Sequence, residues 1–334
     1  MTAIIELDTQ HPDPALIQEA ASIIRAGGLV AFPTETVYGL GADAMNERAI
    51  RRIFEAKGRP ADNPLIVHVC DRAMLDLVAT EVSAKYEALI AAFWPGPLTL
   101  VLKRKPQVAK SVSAGLLTVA VRMPRSQIAL ELIRQARTPI AAPSANLSGR
   151  PSATTAAHVA RDLEGRIDMI LDGGATNIGV ESTVLDITSE PPVILRPGWV
   201  TREHLIDTIG RVDVVATAEE LKRSPGTRHR HYSPRARVVL VESGSSESVE
   251  QLCKDLLQEG TVGFIGHSRV AIDNPKFTAI LLKKAAGEYA RSIYSALREL
   301  DERGVNVIVV EGISEEGEGA AVMDRLRRAA SEAE

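Results

Sequence analysis

Pro33-Thr34-Glu35-Thr36-Val37-Tyr38-Gly39-Leu40-Gly41 follows directly on a short apolar run, Leu29-Val30-Ala31-Phe32. The run reads as a buried strand. The segment after it reads as a loop in which two hydroxyls, an acid and a phenol crowd together before two glycines close the turn. Reversing the chain does not require so many hydrogen-bonding side chains. Strand ends followed by glycine-containing loops are where open α/β sheets hold ligands.

Elements of both periods surround this loop. Asp13-Pro14 is a helix cap with Pro in the first turn, Leu16, Ile17, Ala20, Ile23 and Ile24 keep a helical period, and Gly27-Gly28 stops it. Asn46 caps a helix through Ala56. Residues 64–69, 98–103, 118–122, 139–142, 168–172, 182–187 and 193–196 read as strands, and 83–93, 126–136, 154–163 and 201–209 as helices. The order is mixed rather than strictly alternating, which predicts one large twisted mixed sheet covered by helices. After residue 236 strands at 238–241, 261–265, 278–282 and 305–310 alternate with helices at 246–259, 286–302 and 320–330, a smaller Rossmann-like α/β domain. The expected domains are 1–216, a linker at 217–236, and 237–334. Between Leu221 and Val241 stand six Lys or Arg and no acid. That composition suits a solvated tether, yet His231-Tyr232-Ser233-Pro234 adds an aromatic ring and donors that a tether does not need.

The 334 residues suffice for about two domains. A hydrophobic content of 45% with 25% charged residues is that of a soluble globular protein. A net charge of −4 argues against a protein that coats nucleic acid. Cys70 and Cys253 are isolated, which excludes a zinc cluster or disulfide framework and predicts buried thiols in a reducing compartment. No apolar run approaches a membrane span and no signal pattern opens the chain, so a cytoplasmic protein is expected.

The chemistry-bearing residues recur at strand ends. Lys57-Gly58-Arg59-Pro60 closes a helix, and Asn63-Pro64-Leu65-Ile66-Val67-His68 follows. A Lys there can simply complement the helix dipole, but two cations around Gly before a polar Asn fit an anion-binding loop. Alternation places Thr118, Ala120 and Arg122 on one strand face. A guanidinium there needs an anion, either an internal carboxylate or a ligand carboxylate or phosphate. Ala141-Ala142-Pro143-Ser144-Ala145-Asn146-Leu147-Ser148-Gly149 begins at another strand end, with Ser152 beyond it. Glu181-Ser182-Thr183-Val184 opens one strand and Leu195-Arg196-Pro197-Gly198 closes another. Cations, hydroxyls, amides and one imidazole converge without a nucleophile–His–acid triad, a carboxylate pair, a metal cluster or a GxxxxGK[ST] loop. The set suits positioning and stabilisation of phosphate charge.

Together PTETVYGLG, KGRP with NPLIVH, APSANLSG, ESTV and LRPG resemble the YrdC-type threonylcarbamoyl-AMP synthases, over about residues 10–215. The basic linker and Rossmann-like tail match the long two-domain form. The resemblance implies synthesis of L-threonylcarbamoyl-adenylate from L-threonine, bicarbonate and ATP. That product feeds tRNA modification to N6-threonylcarbamoyladenosine by partner proteins. It implies that Thr36, His68, Arg122, Ala142 and Ser182 hold threonine. Arg59, Asn63, Thr118, Ser144, Asn146, Ser152 and Arg196 would hold ATP, with Tyr232 reaching in from a lid-like linker. Lys57 and Arg59 would serve catalysis, with Thr34 a weaker contact. No protein metal ligands are expected, and Mg²⁺ would be carried by the phosphates. A monomer with weak RNA binding at most is expected. A hydrogenase carbamoyl-transfer factor would need zinc-binding cysteines, and a plain nucleotide hydrolase would turn over without threonine. A double-stranded RNA or tRNA-binding module is the alternative from another class, favoured by the basic linker and opposed by the net acidity.

Overall fold

The chain begins with a short strand, β1 (Ala3–Glu6), and the helix predicted from Asp13-Pro14, α1 (Pro14–Arg25), whose first turn Asp13 caps by accepting from the Ala15 amide. The computed structural model describes residues 1–80, 82–214, 223–224 and 232–331. It divides into two compact units, Met1–Ser148 with Ser152–Arg228, and Gly149–Pro151 with His229–Glu334. Most of the predicted linker lies outside the described residues.

In the first unit β2 (Val30–Phe32), β3 (Gly39–Asp43), β4 (Ile66–His68), β5 (Leu98–Lys103), β6 (Thr118–Arg122), β7 (Ile140–Ala141), β8 (Met169–Asp172), β9 (Thr183–Asp186), β10 (Val193–Arg196) and β11 (Asp213–Val214) join β1. Among the described residues they make an 11-stranded mixed sheet, ordered β1-β8-β2-β3-β7-β4-β6-β5-β9-β10-β11. The helices are α1, α2 (Glu47–Lys57), α3 (Arg72–Val78), α4 (Glu87–Phe93), α5 (Gln127–Ala136), α6 (Ala156–Leu163) and α7 (Arg202–Ile209). The main core joins α1, α2, α5 and α6 to the inner strands through Ile17, Ile24, Ile50, Ile53, Leu132 and Val159. A smaller cluster of Ile66, Val101, Ala120, Val184, Val193 and Leu195 collects on the strands around β6.

Three differences from the sequence reading matter. First, Gly39-Leu40-Gly41 opens strand β3, antiparallel to β2, rather than closing a loop. A Cβ at Gly41 would lie 2.7 Å from the Phe32 ring and 2.8 Å from Ile140, and one at Gly39 would lie 3.3 Å from Phe32 and from Ala142. These glycines make room for an aromatic ring lying across a neighbouring strand. Second, helix α3, capped by Asp71, was not expected because it spans only 7 residues. Third, β1 and β11 are short outer strands, too brief for a period to register.

The second unit matches the predicted alternation. Strands β12 (Arg237–Val241), β13 (Val262–Gly266), β14 (Phe277–Leu281) and β15 (Val307–Glu311) pair in parallel in the order β12-β15-β13-β14. Helices α8 (Ser246–Leu256), α9 (Ala286–Glu302) and α10 (Gly319–Ala330) follow the strands. Tyr232 belongs to this unit. It stacks on Tyr294, ring centroids 5.6 Å apart, with the Arg325 guanidinium 5.4 Å from its ring centroid. Cys70 and Cys253 are free and buried, as expected. Among the described residues no helix is long and apolar enough to cross a membrane.

Candidate active site

Thr34 shapes the loop after β2. Its Oγ1 accepts from the amides of Thr36 (3.1 Å) and Val37 (3.3 Å), and it lies 2.7 Å from the Val37 carbonyl. This hydroxyl therefore fixes a tight turn and leaves the Thr36 side chain facing inward. Tyr38 is structural as well. Its hydroxyl donates to Gly174 O at 2.7 Å, and burial pushes its phenol above the usual range. The loop from Ala142 to Asn146 lies beside this turn. The Leu40 amide donates to Pro143 O, the Ala145 amide to Tyr38 O, and Gly39 bridges Ser144.

Arg122 ends β6 and is 3% exposed. Its Nε donates to Gly96 O (3.1 Å) and its NH1 to Thr36 Oγ1 (2.9 Å). Its NH2 lies 2.7 Å from Glu35 Oε2, an ionic contact whose angles fall outside hydrogen-bond geometry. The open question of its partner thus resolves to an internal carboxylate in this structure. A guanidinium has five N–H donors, so this arrangement leaves capacity for a second anion. His68 is Arg122's partner in the β4–β6 register and packs edge-on against Phe32 at 6.0 Å. Burial, and then the Arg122 charge, push its imidazole down to about 3, so it is neutral at ordinary pH. Its Nδ1 has no hydrogen-bond partner among the described residues.

The other predicted residues form neighbouring groups. The Thr183 amide donates to Pro97 O, next to the Gly96 carbonyl that anchors Arg122, and this brings Ser182 alongside. Ser182 Oγ lies 2.8 Å from Thr99 Oγ1, and Arg196 donates to Ser182 O at 3.0 and 3.2 Å. Gly198 permits this packing, since a Cβ there would lie 2.2 Å from the Thr183 amide. The Lys57 ammonium is 2% exposed and donates to Ser144 O (2.6 Å) and Asn146 O (2.5 Å), drawing the KGRP and APSAN loops together. Arg59 donates to Pro64 O at 3.2 Å, beside the fully buried Asn63. Ser152 Oγ donates to Glu181 Oε1 at 2.5 Å. The Ala142 amide donates to Ile66 O. Thr118 begins β6, on the same face as Arg122 but about 13 Å along the strand. Tyr232 stands in the second unit, described above. A cleft of about 580 Å³ runs along the outside of the Thr34 turn, lined by Thr34, Glu35, Arg125, Gln127 and Thr176. Of the residues predicted for substrate it touches only Thr34, though Glu35, the partner of Arg122, also lines it.

Sequence reasoning missed the positioning roles of Glu35 and Glu181. Glu35 was visible as the acid of PTET, but its pairing with Arg122 requires the loop after β2 to reach the end of β6, which has three strands between it and β2 in the sheet. Among the described residues no group of three or more His, Cys, Asp or Glu gathers as a metal site. The donors here suit anions.

Buried cations, hydroxyls and a neutral imidazole gathered at the strand ends of a mixed α/β sheet are the equipment of an α/β enzyme that acts on anionic substrates. Residues 22–198 match the Sua5/YciO/YrdC family profile, which bears the description "Telomere recombination". Residues 200–331 match "Threonylcarbamoyl-AMP synthase, C-terminal domain". The chain is 49% identical to a threonylcarbamoyl-AMP synthase of Pyrococcus abyssi, covering 98% of each. It is 46% identical to one of Bacillus subtilis, covering 97% of this chain and 95% of that one. The crystal structure of P. abyssi Sua5 complexed with L-threonine matches with a TM-score of 0.92 at 47% identity, over 98% of both chains. The chain therefore belongs to the Sua5-type threonylcarbamoyl-AMP synthases, a YrdC-type domain followed by a Sua5 C-terminal domain.

Proposed function

We propose that this chain condenses L-threonine, bicarbonate and ATP into L-threonylcarbamoyl-adenylate and pyrophosphate at the strand ends of its first unit. The observation that carries the site assignment is the buried Arg122, held by Glu35, Thr36 and Gly96 beside the neutral His68. Its remaining donors suit the threonine carboxylate. The His68 Nδ1, the Thr36 and Ser182 hydroxyls and the backbone at Ala142 surround the rest of the amino acid. Lys57, Arg59, Asn63, Ser144, Asn146, Ser152 and Arg196 supply the cations and polar groups for the triphosphate, and Thr118 lies further along the same face for the nucleoside.

These placements suit the following chemistry. The neutral threonine amine forms a bond to the carbon of CO2 supplied by bicarbonate and loses a proton, giving a carbamate. A carbamate oxygen then attacks the α-phosphorus. The bond to the bridging oxygen breaks, and pyrophosphate leaves with the electron pair. Negative charge grows on phosphate oxygens, where fixed cations are most effective. Mg²⁺ suits the phosphates rather than this donor set, and no protein ligand for it is assigned. Partner proteins would transfer the product to tRNA. The RNA-binding alternative draws on six linker cations, three of which (Lys222, Arg228, Arg230) lie outside the described residues, and nothing in the site favours it.

Pyrophosphate release by the purified protein, with L-threonine and bicarbonate omitted in turn, tests the proposal. Release that requires both is expected. Release without threonine would mean nucleotide hydrolysis and overturn the reading.

A further inference from the structure

The four-stranded sheet of the second unit carries a feature that its alternation alone does not explain. Chain leaving β12 runs to α8, which packs through Val249, Cys253 and Leu256 on the face bearing Val239, Val241, Phe264 and Val309. Chain leaving the adjacent strand β15 runs to α10 on the opposite face. There a Cβ at Gly263 would meet Leu300 of α9, and one at Gly312 would meet Met323 of α10. Neighbouring strands whose exits diverge to opposite faces leave a crevice at their carboxyl ends, the place where open α/β sheets bind ligands. A cavity of about 190 Å³ opens at this point, lined by Val241–Gly244 from one exit and Glu311–Ser314 from the other, with His267 and Lys284.

The lining sorts by charge. Both acids already have partners. Glu242 holds Arg327 through two 2.8 Å contacts. Glu311 accepts from the amides of His267 and Ser268 at 2.8 Å and from the Ser268 hydroxyl at 2.6 Å. Gly266 admits that carboxylate, since a Cβ there would lie 2.5 Å from Glu311 Oε2. The bases remain available. Lys284 has no partner among the described residues. His267 turns Nδ1 toward Glu311 at 3.4 Å, which leaves Nε2 for a ligand. The amides of Ser243 and Gly244 also make no hydrogen bond within the described residues.

We propose that this crevice is a second ligand site, distinct from the strand-end site of the first unit, and that it takes a small phosphate-bearing anion. Consecutive free amides, an ammonium and an imidazole that donates from both nitrogens when protonated form an anion cradle, and the two lining acids are both already engaged, Glu242 with Arg327 and Glu311 with the 267–268 amides. The inference rests on the second unit alone and stands whether or not the site assignment above holds.

Peptide-resolved hydrogen exchange on the full chain tests it, because it separates this crevice from any phosphate bound in the first unit. The probes are inorganic phosphate, pyrophosphate and AMP, against sodium chloride of equal ionic strength. Phosphate probes should slow exchange in peptides spanning 242–248 and 311–315. Lys284→Ala should raise the midpoint of that protection about tenfold, as expected for one lost charge-assisted contact, without shifting protection in the first unit. His267→Gln should raise it as well. Equal midpoints for phosphate and AMP would assign the cradle to the phosphate group, and a lower one for AMP would extend it to the sugar; both support the site. Protection confined to the first unit, protection by chloride alone, or an unchanged midpoint in a folded Lys284→Ala protein would overturn it.

Discussion

The two sheets put charge at their strand ends in opposite ways. In the first unit Arg122, Lys57 and Arg196 are almost fully buried and already engaged with Glu35, with the Ser144 and Asn146 carbonyls, and with Ser182. In the second unit the acids are engaged, while Lys284 is exposed and His267 half-buried. Buried, mutually bonded charges are fixed before substrate arrives, which is what stabilising a transition state requires. The same bonding ties them to folding, so substitutions in the first unit should disturb activity and stability together. Groups at the second crevice should change binding with little effect on folding.

Lys57 offers the largest way to break this contrast. Lys57→Ala removes a cation from the proposed phosphate end and the tie between two loops. We expect kcat for pyrophosphate release to fall about 100-fold, the scale of losing one preorganised donor, with a smaller change in KM for threonine. An equal kcat in mutant and wild type would leave Lys57 as a loop tether only.

Arg122 sharpens the comparison, because its loss should divide into two measurable parts. Arg122→Ala should lower kcat/KM for L-threonine roughly 10- to 100-fold, through the unpaired substrate carboxylate. It should also destabilise the protein by about 3–5 kcal/mol, because Glu35 is left charged and buried. Adding Glu35→Gln should recover much of that stability in denaturant unfolding without restoring threonine use. A double variant that regains both would make Glu35, rather than Arg122, the residue that matters for substrate.

The legible parts of this site are those where residue type alone signals chemistry. Polar and cationic residues at the ends of apolar runs marked Thr36, His68, Arg122, Ser144, Ser182 and Arg196, and the structure places each at or beside a strand end. The Asp13 and Asn46 caps were equally readable, since a cap is a local bond. What stayed hidden depends on strand order. Glu35 meets Arg122 only because β3, β7 and β4 are each spanned within one sheet. The crevice of the second unit exists only because β15 inserts between β12 and β13. The glycines of β3 misled because their absent side chains serve the Phe32 ring on the next strand rather than a turn.

Those glycines give a smaller test, of packing alone. Gly41→Ala should cost about 1–3 kcal/mol by overpacking Phe32 and Ile140. Trimming Phe32 to Leu in the same chain should recover part of the loss. An unchanged unfolding midpoint in the single variant would mean that β3 shifts freely and that the Thr34 turn is not held by it.

The last test concerns His68, and its sign follows from linkage. The folded imidazole is held down to about 3 from an ordinary value of 6.5, by burial and by Arg122. Between those values the unfolded chain binds the proton that the folded one refuses, so stability rises with pH across that window and is flat above it. The contribution is complete above pH 6.5 and is lost as pH falls toward 3. Replacing His68 with Gln removes the titration while keeping a polar side chain. The slope of unfolding free energy against pH, measured from about pH 4 to 6, should then fall by up to about 1.4 kcal/mol per pH unit, one proton's worth. An unaltered slope would mean that the folded protein protonates His68 as readily as the unfolded chain does. The proposed threonine end would then hold two cations rather than one cation beside a neutral ring, and the proposed place of His68 beside the bound amino acid would fail.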